Sequence, residues 1–266
     1  MDSVPKKLYH IHGYDSRTTL EHYFSNKEDM IFADDSLKFP MMNLHYVFSR
    51  GYIHGKLLMD FSKGSYIHHL YSASNIFKDI ILMKFSEKSA MEVHRWLGDR
   101  TGAFDWTHTK TAVAALEGKS DQSHTIELNL KASIRQIVMC SLEKENLTDP
   151  LVLPHADCII SVWLLDVISI DQDDYMKNLK KISNLLKIGG HLILIGALNT
   201  TYLTVGAELF HVFKYDESFV KSALSKLGFV IDYCAVQKRK KVSDLTDYTH
   251  VIFITAQMKN GKTDSC

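Results

Sequence analysis

A chain of 266 residues can bury one sizeable core, and a single domain over residues 1–266 is the simplest reading. Lysine and arginine together number 31, as do aspartate and glutamate, so no net field gathers nucleic acid or an anionic membrane, and a small molecule is the expected partner of a monomeric chain. Four cysteines without a CxxC pair, and no apolar run of about 18 residues, argue against a disulfide framework, a zinc ribbon and a membrane span, and read as a cytosolic protein with reduced thiols.

Residues 1–55 carry an aromatic and histidine-rich segment (Tyr9, His12, Tyr14, His22, Tyr23, Phe24), which suits a lid over the edge of a sheet. From residue 56 short apolar runs alternate with helix-period segments, the order of a parallel sheet covered on both faces. Residues 56–61 (KLLMDF) read as a buried strand and 62–65 as a turn. Residues 66–77 read as a helix with Ile67, Leu70, Tyr71, Ser74 and Phe77 on one face. Residues 79–85 (DIILMKF) are a second strand. The next helix, 86–98, opens with Ser86 as N-cap and Glu87 in its first turn, and turns Met91, Val93 and Trp96 to the sheet.

Residues 101–129 predict a strand-poor insertion or long loop. Strands follow at 136–142 (QIVMCSL) and at 156–166 (ADCIISVWLLD), the most apolar and so the most central. An amphipathic helix spans 171–186, with Gly189 and Gly190 available for a left-handed cap, and 191–198 (HLILIGAL) is the next strand. Residues 216–227 read as a helix ended by Gly228. Strands at 229–236 and 249–256 then follow with only a polar loop between them, which makes them an antiparallel hairpin. The core thus covers 56–257, and 258–266 reads as a polar, flexible tail.

Ligands of open α/β sheets bind beyond the carboxyl ends of the strands where the strand order reverses. That places 61–66, 84–86 and 140–142 around one crevice. A nucleoside there needs close backbone approach and an acid for its ribose hydroxyls. The sequence supplies Asp60 and Gly64, but the turn reads DFSKGSY, and Lys84 stands where the acid is expected.

At these residues the chain resembles the nicotinamide, phenylethanolamine and indolethylamine N-methyltransferase family. The matches are LLMDFSKGS at 57–65, GAFDW at 102–106, LEGKS at 116–120, ADCIIS at 156–161 with LLD at 164–166, and LLKIGGHLILIGAL at 185–198. The resemblance runs from about residue 9 to 257. It implies a class I methyltransferase fold, a Rossmann-like sheet of seven mostly parallel strands with a C-terminal antiparallel hairpin and an N-terminal helical lid. It also implies S-adenosylmethionine as cofactor. Carried over by position, it sets Thr19, Phe24, Asp60, Ser62, Lys63, Gly64 and His68 against the cofactor, with Lys84, Ser89, Ser141, Leu142 and Val162 around the adenosine. Tyr23, Trp163, Ala197 and Thr200 fall on the acceptor. Ser62 replaces a glycine, Lys63 a small residue, Lys84 an acid, Ser141 an aspartate and Gly196 a carboxylate, so nicotinamide itself is not the expected acceptor.

Methyl transfer from a sulfonium is an in-line displacement that asks mainly for alignment and exclusion of water, so no residue is assigned as catalytic, though Asp166, Tyr23 or a lid histidine is placed to assist. Lys84 admits two readings, a cation inside the crevice or a lysine snorkelling to water. Adjacent His68 and His69 point in different directions, which excludes a metal pair. Residues 238–241 (KRKK) read as a solvated loop without stacking aromatics, and Cys140 as a buried strand cysteine. Two functions follow: a methyltransferase for a small amine or aromatic nitrogen, or a family member without transfer that binds a small molecule. Nucleic-acid methylation is disfavoured by the neutral charge and the lack of an NPPY-like motif.

Overall fold

The computed structural model of the protein describes residues 6–25 and 33–259. Two helices, α1 (Tyr9–His12) and α2 (Ser16–Tyr23), lead the chain, the second capped by the Asp15 carboxylate, which accepts from Thr18 N at 2.6 Å. A π-helical turn (Ala33–Lys38) runs into α3 (Phe39–Ser49). The sheet begins with β1 (Leu57–Ser62), followed by a single helical turn, α4 (Leu70–Ala73), and β2 (Asp79–Lys84). The expected helix over 66–77 is therefore mostly turn. The segment is bonded to the strand end: His69 Nε2 lies 2.6 Å from Asp60 Oδ1, and the Ser62 hydroxyl donates to the Tyr66 backbone carbonyl at 3.2 Å.

Next come α5 (Glu87–Leu97), α6 (Thr107–Leu116), a 3₁₀ turn (Ser120–Gln122) and α7 (Ser123–Ser133). The 101–129 stretch lacks strands as expected, but most of it is helical. In α5, Val93 and Trp96 are buried, whereas Met91 is exposed, and Ser86 holds the N-cap position without a side-chain bond. Then follow β3 (Ile134–Met139), β4 (Ala156–Val162), α8 (Gln172–Ser183) and β5 (Leu186–Leu198). The left-handed Gly189 (φ 81°) lies inside β5 and does not cap the helix, which ends at Ser183. A small hairpin, β6 (Tyr202–Val205) and β7 (Glu208–His211), was not legible in the sequence. Last are α9 (Glu217–Lys226), β8 (Phe229–Lys238) and β9 (His250–Met258), so Met258 belongs to a strand. Residues 260–266 of the expected tail lie outside the described residues.

The main sheet has the order β3-β2-β1-β4-β5-β9-β8, parallel through β5, with β9 antiparallel to both β5 and β8. Strand order reverses between β1 and β4, at the crevice anticipated from the sequence. Side-chain alternation sends Met59, Phe61, Ile81, Met83, Ile159 and Leu194 into one core and Leu58, Leu82, Ile160 and Ile193 into the other. The same alternation puts Asp60, Ser62 and Lys84 on that second face. Among the described residues no helix is long and apolar enough to cross a membrane, and no cluster of His, Cys, Asp or Glu is arranged to hold a metal.

Candidate functional site

Asp60 and Lys84 stand at the carboxyl ends of neighbouring parallel strands and are both fully buried. The Lys84 ammonium donates to Ser62 Oγ at 2.7 Å and to Asp60 Oδ2 at 3.3 Å, and the other carboxylate oxygen meets His69 at 2.6 Å. Burial alone would push the Asp60 carboxyl up, but the charges of Lys84 and His69, with bonds from His69 and Ser62, hold it down at about 2. Burial pulls the Lys84 ammonium below its ordinary range, against the pull of Asp60. Lys84 is thus buried against Asp60 and Ser62 and does not snorkel to water.

Tyr23, Trp163, Ala197 and Thr200 share one pocket with Phe24, Lys63 and Asp166. Tyr23 reaches it from the end of α2, its hydroxyl donating to the Thr204 carbonyl at 2.9 Å. Trp163 follows β4 with φ 52°, a strained conformation for a bulky aromatic that turns the ring into the pocket. Lys63, 7% exposed, lies 5.7 Å from the centres of the Tyr14 and Tyr66 rings and 5.9 Å from that of Tyr23. Burial draws its ammonium down to about 8, opposed by the charge of Asp166. Burial pushes the Asp166 carboxyl up to about 6, opposed by Lys63. Three buried polar atoms on the pocket wall, Asp166 Oδ1, Trp163 Nε1 and Thr200 Oγ1, have no hydrogen-bond partner among the described residues.

The other anticipated positions are spread over α2, the β1 turn, α5 and the ends of β3 and β4. Gly64 takes φ 61°, and the place where a Cβ would stand is in van der Waals contact with the rings of Tyr66 at 3.7 Å and Tyr14 at 3.8 Å, so tyrosine faces cover the turn. Val162 pairs with Ser62, and its carbonyl accepts from Lys63 N at 2.9 Å. Thr19 bonds back to the Asp15 carbonyl at 2.8 Å, and Ser89 shares a 2.8 Å bond with Ser16. Ser141 and Leu142 follow β3, with the Leu142 carbonyl held by Lys181 Nζ at 2.8 Å. His68 is fully buried near Trp106, and neither ring nitrogen has a partner among the described residues. That orphaned imidazole, packed against Phe24, Tyr66 and Trp106, is a polar group that the tail of a bound nucleoside would satisfy. The departure is electrostatic: where the resemblance implies an acid, Lys84 presents an ammonium already bonded to Asp60 and Ser62.

The far wall of the pocket was not foreseen. Asp35 of the π-helical turn accepts from the Tyr248 hydroxyl at 2.6 Å, from Gln237 Nε2 at 2.7 Å and from Lys240 N at 3.1 Å. Arg239 donates to the carbonyls of Ser243, Thr246 and Tyr248, which folds the 239–249 loop over the pocket. The KRKK run is thus a braced hairpin loop. At Gly196, a Cβ would stand 2.1 Å from the hydroxyl of buried Tyr215, so the tyrosine fills the space beside the lost carboxylate.

Comparison with known proteins places this geometry in context. The family described as NNMT/PNMT/TEMT matches residues 4–259. Nicotinamide N-methyltransferase of Homo sapiens is 28% identical over 244 residues, 92% of each chain. Phenylethanolamine N-methyltransferase of Sus scrofa is 30% identical over 90% of this chain and 86% of its own. Among solved structures, magnesium protoporphyrin IX methyltransferase from Synechocystis PCC 6803 with bound SAM aligns with a TM-score of 0.58 at 12% identity, over 94% of this chain and 93% of that one, a likeness of fold.

Proposed function

Because the chain belongs to the NNMT/PNMT/TEMT family, whose members are S-adenosylmethionine-dependent N-methyltransferase enzymes, we propose that it methylates the nitrogen of a small amine held in the pocket of Tyr23, Trp163, Asp166 and Thr200. The observation that carries this reading is the Asp166 carboxylate, buried on a mostly aromatic and aliphatic wall with one oxygen unpartnered. S-adenosylmethionine supplies an electrophilic methyl group on its sulfonium. The turn of Ser62, Lys63 and Gly64, with His68, would hold its amino-acid end, and Lys84, Ser89 and Ser141 its nucleoside. Asp166 binds the acceptor ammonium and, with its carboxyl raised to about 6, takes the proton the nitrogen must lose before its lone pair can react. Tyr23 and the Arg239-braced loop exclude water. The near-neutral charge and the three unpaired cysteines of the described residues support a cytosolic monomer without a nucleic-acid partner.

The test is transfer of labelled methyl from S-adenosylmethionine to a panel of small amines. Turnover is expected, with Asp166→Asn lowering kcat/KM about ten- to a hundredfold, the worth of a charge-assisted bond. A second reading, a binding protein without transfer, is favoured by the Lys84–Asp60–Ser62 cluster, which engages both the acid and the cation of the crevice with each other. No S-adenosylhomocysteine binding at millimolar ligand, together with no turnover, would make that reading the better one.

A further inference from the structure

The pocket has more to say about its ligand than that it is an amine. Its polar groups are unequal in kind: of the buried unpartnered atoms Trp163 Nε1 can only donate, the Thr200 hydroxyl can donate and Asp166 Oδ1 accepts, and beside them the Lys63 ammonium can only donate. Lys63 is buried, and among the described residues its ammonium lies over the faces of three tyrosines, feels the charge of Asp166 and makes no hydrogen bond. Such a cation is left short of acceptors. A plain ammonium entering this space would satisfy Asp166 but set a second positive charge in the same pocket as Lys63. A ligand that brings a carboxylate with its ammonium gives Lys63 and Asp166 each an opposite charge, while Asp35, the other carboxylate on the lining, keeps its bonds from Tyr248, Gln237 and Lys240 N.

We propose that the acceptor is an amine that also bears a carboxylate, an amino acid or a compound of that charge pattern, with Lys63 holding the carboxylate and Asp166 the ammonium. For its chemistry the inference rests on the amine-methylation reading, but for binding it stands alone. Trp163 Nε1 and Thr200 Oγ1 are the further donors available to the carboxylate, and the tyrosine faces give the side chain an aromatic wall. Lys63 lies on the turn assigned to the cofactor, so its carboxylate has two possible sources, the acceptor or the amino-acid end of S-adenosylmethionine.

Calorimetric titrations of the wild-type chain and Lys63→Met separate them. The probes are matched pairs, phenylalanine against phenethylamine and tryptophan against tryptamine, with S-adenosylhomocysteine titrated alone as a third arm. The amino acid of each pair is expected to bind about ten- to a hundredfold more tightly than its decarboxylated partner, and Lys63→Met to erase that preference while the melting temperature holds. Equal or tighter binding of the plain amines to wild type, or binding of neither member of any pair, would overturn the proposal. So would Lys63→Met weakening S-adenosylhomocysteine while the acceptor preference stays intact, which assigns the carboxylate to the cofactor. Methyl transfer is scored separately: amino-acid binding without transfer upholds this inference and sinks the enzyme reading, while transfer to plain amines indifferent to Lys63→Met does the reverse.

Discussion

The Lys84 ammonium lies 3.3 Å from Asp60 Oδ2, with both side chains fully out of water at the ends of β2 and β1. Each is the other's counter-charge, joined by His69 and Ser62 into a closed buried network. Such a pair adds little net stability over an apolar pair, but removing one member strands the other.

Lys84→Met is therefore expected to cost about 3–5 kcal/mol, because Asp60 loses its lysine counter-charge and keeps only the hydrogen bonds of His69 and Ser62. The double variant Lys84→Met with Asp60→Asn should recover part of that loss. Urea unfolding of the four chains measures the coupling, and additive losses would mean that the two charges do not stabilise each other.

Acid stability follows from the same carboxylate. Asp60 is held at about 2 in the fold, below the ordinary 3.8, so its contribution is complete above about pH 4 and drains away as pH falls toward 2. The shift corresponds to on the order of 2–3 kcal/mol. In Asp60→Asn the stability curve should flatten across that window, as read by thermal melts between pH 2 and 5.

The parallel order and the terminal hairpin were legible because β-branched runs, helix-period segments and a strand-to-strand polar loop are local signals. The turns after β1 were not, since residues 66–69 carry a helical pattern that the bonds tying the Tyr66 carbonyl and His69 to the strand end override. Lys84 shows the same limit. Its position at a strand end was readable, but its burial depends on Asp60 and Ser62, which only the sheet register brings beside it. Asp35 and Tyr248 sit 213 residues apart, and nothing local announces that their contact closes the pocket.

That contact gives a prediction. Tyr248→Phe removes the 2.6 Å bond to Asp35 and leaves the carboxylate with Gln237 and Lys240 N, at an expected cost of about 1–2 kcal/mol. Because Tyr248 also lines the pocket, acceptor affinity should fall with stability. An unchanged affinity would mean that the loop does not shape the bound state.

At the opposite end of the strands, Gly55 takes φ 150°, and a Cβ there would stand 2.2 Å from Asp157 Cβ. Asp157 accepts from Lys56 N at 2.8 Å and Leu57 N at 2.9 Å, so it clamps the entry of β1. Gly55→Ala should displace that clamp and lower stability by about 2–4 kcal/mol, with no direct effect on ligand contacts, since the pocket lies at the other end of the sheet. A melting temperature equal to wild type would show that Asp157 yields.

The pocket charges set a pH window for binding. Asp166, raised to about 6, must lose its proton to hold an ammonium, and Lys63, lowered to about 8, must keep its proton to hold a carboxylate. The other ionisable groups packed against them are the phenols of Tyr14, Tyr23 and Tyr66 around Lys63 and of Tyr175 and Tyr215 near Asp166, all driven above the ordinary tyrosine range by burial and so neutral throughout. Across the cavity Asp35 is occupied by Tyr248. Affinity for an amino-acid ligand is thus expected to peak between about pH 6 and 8, with limbs that fall by up to tenfold per pH unit on either side. Asp166→Asn should remove the acid limb alone, and Lys63→Met the alkaline limb alone. A plain amine should show the acid limb, while deprotonation of Lys63 should leave its binding equal or improved, because a like charge departs. Loss of both limbs in either single variant would mean that the two groups titrate as one unit and do not bind separate ends of the ligand.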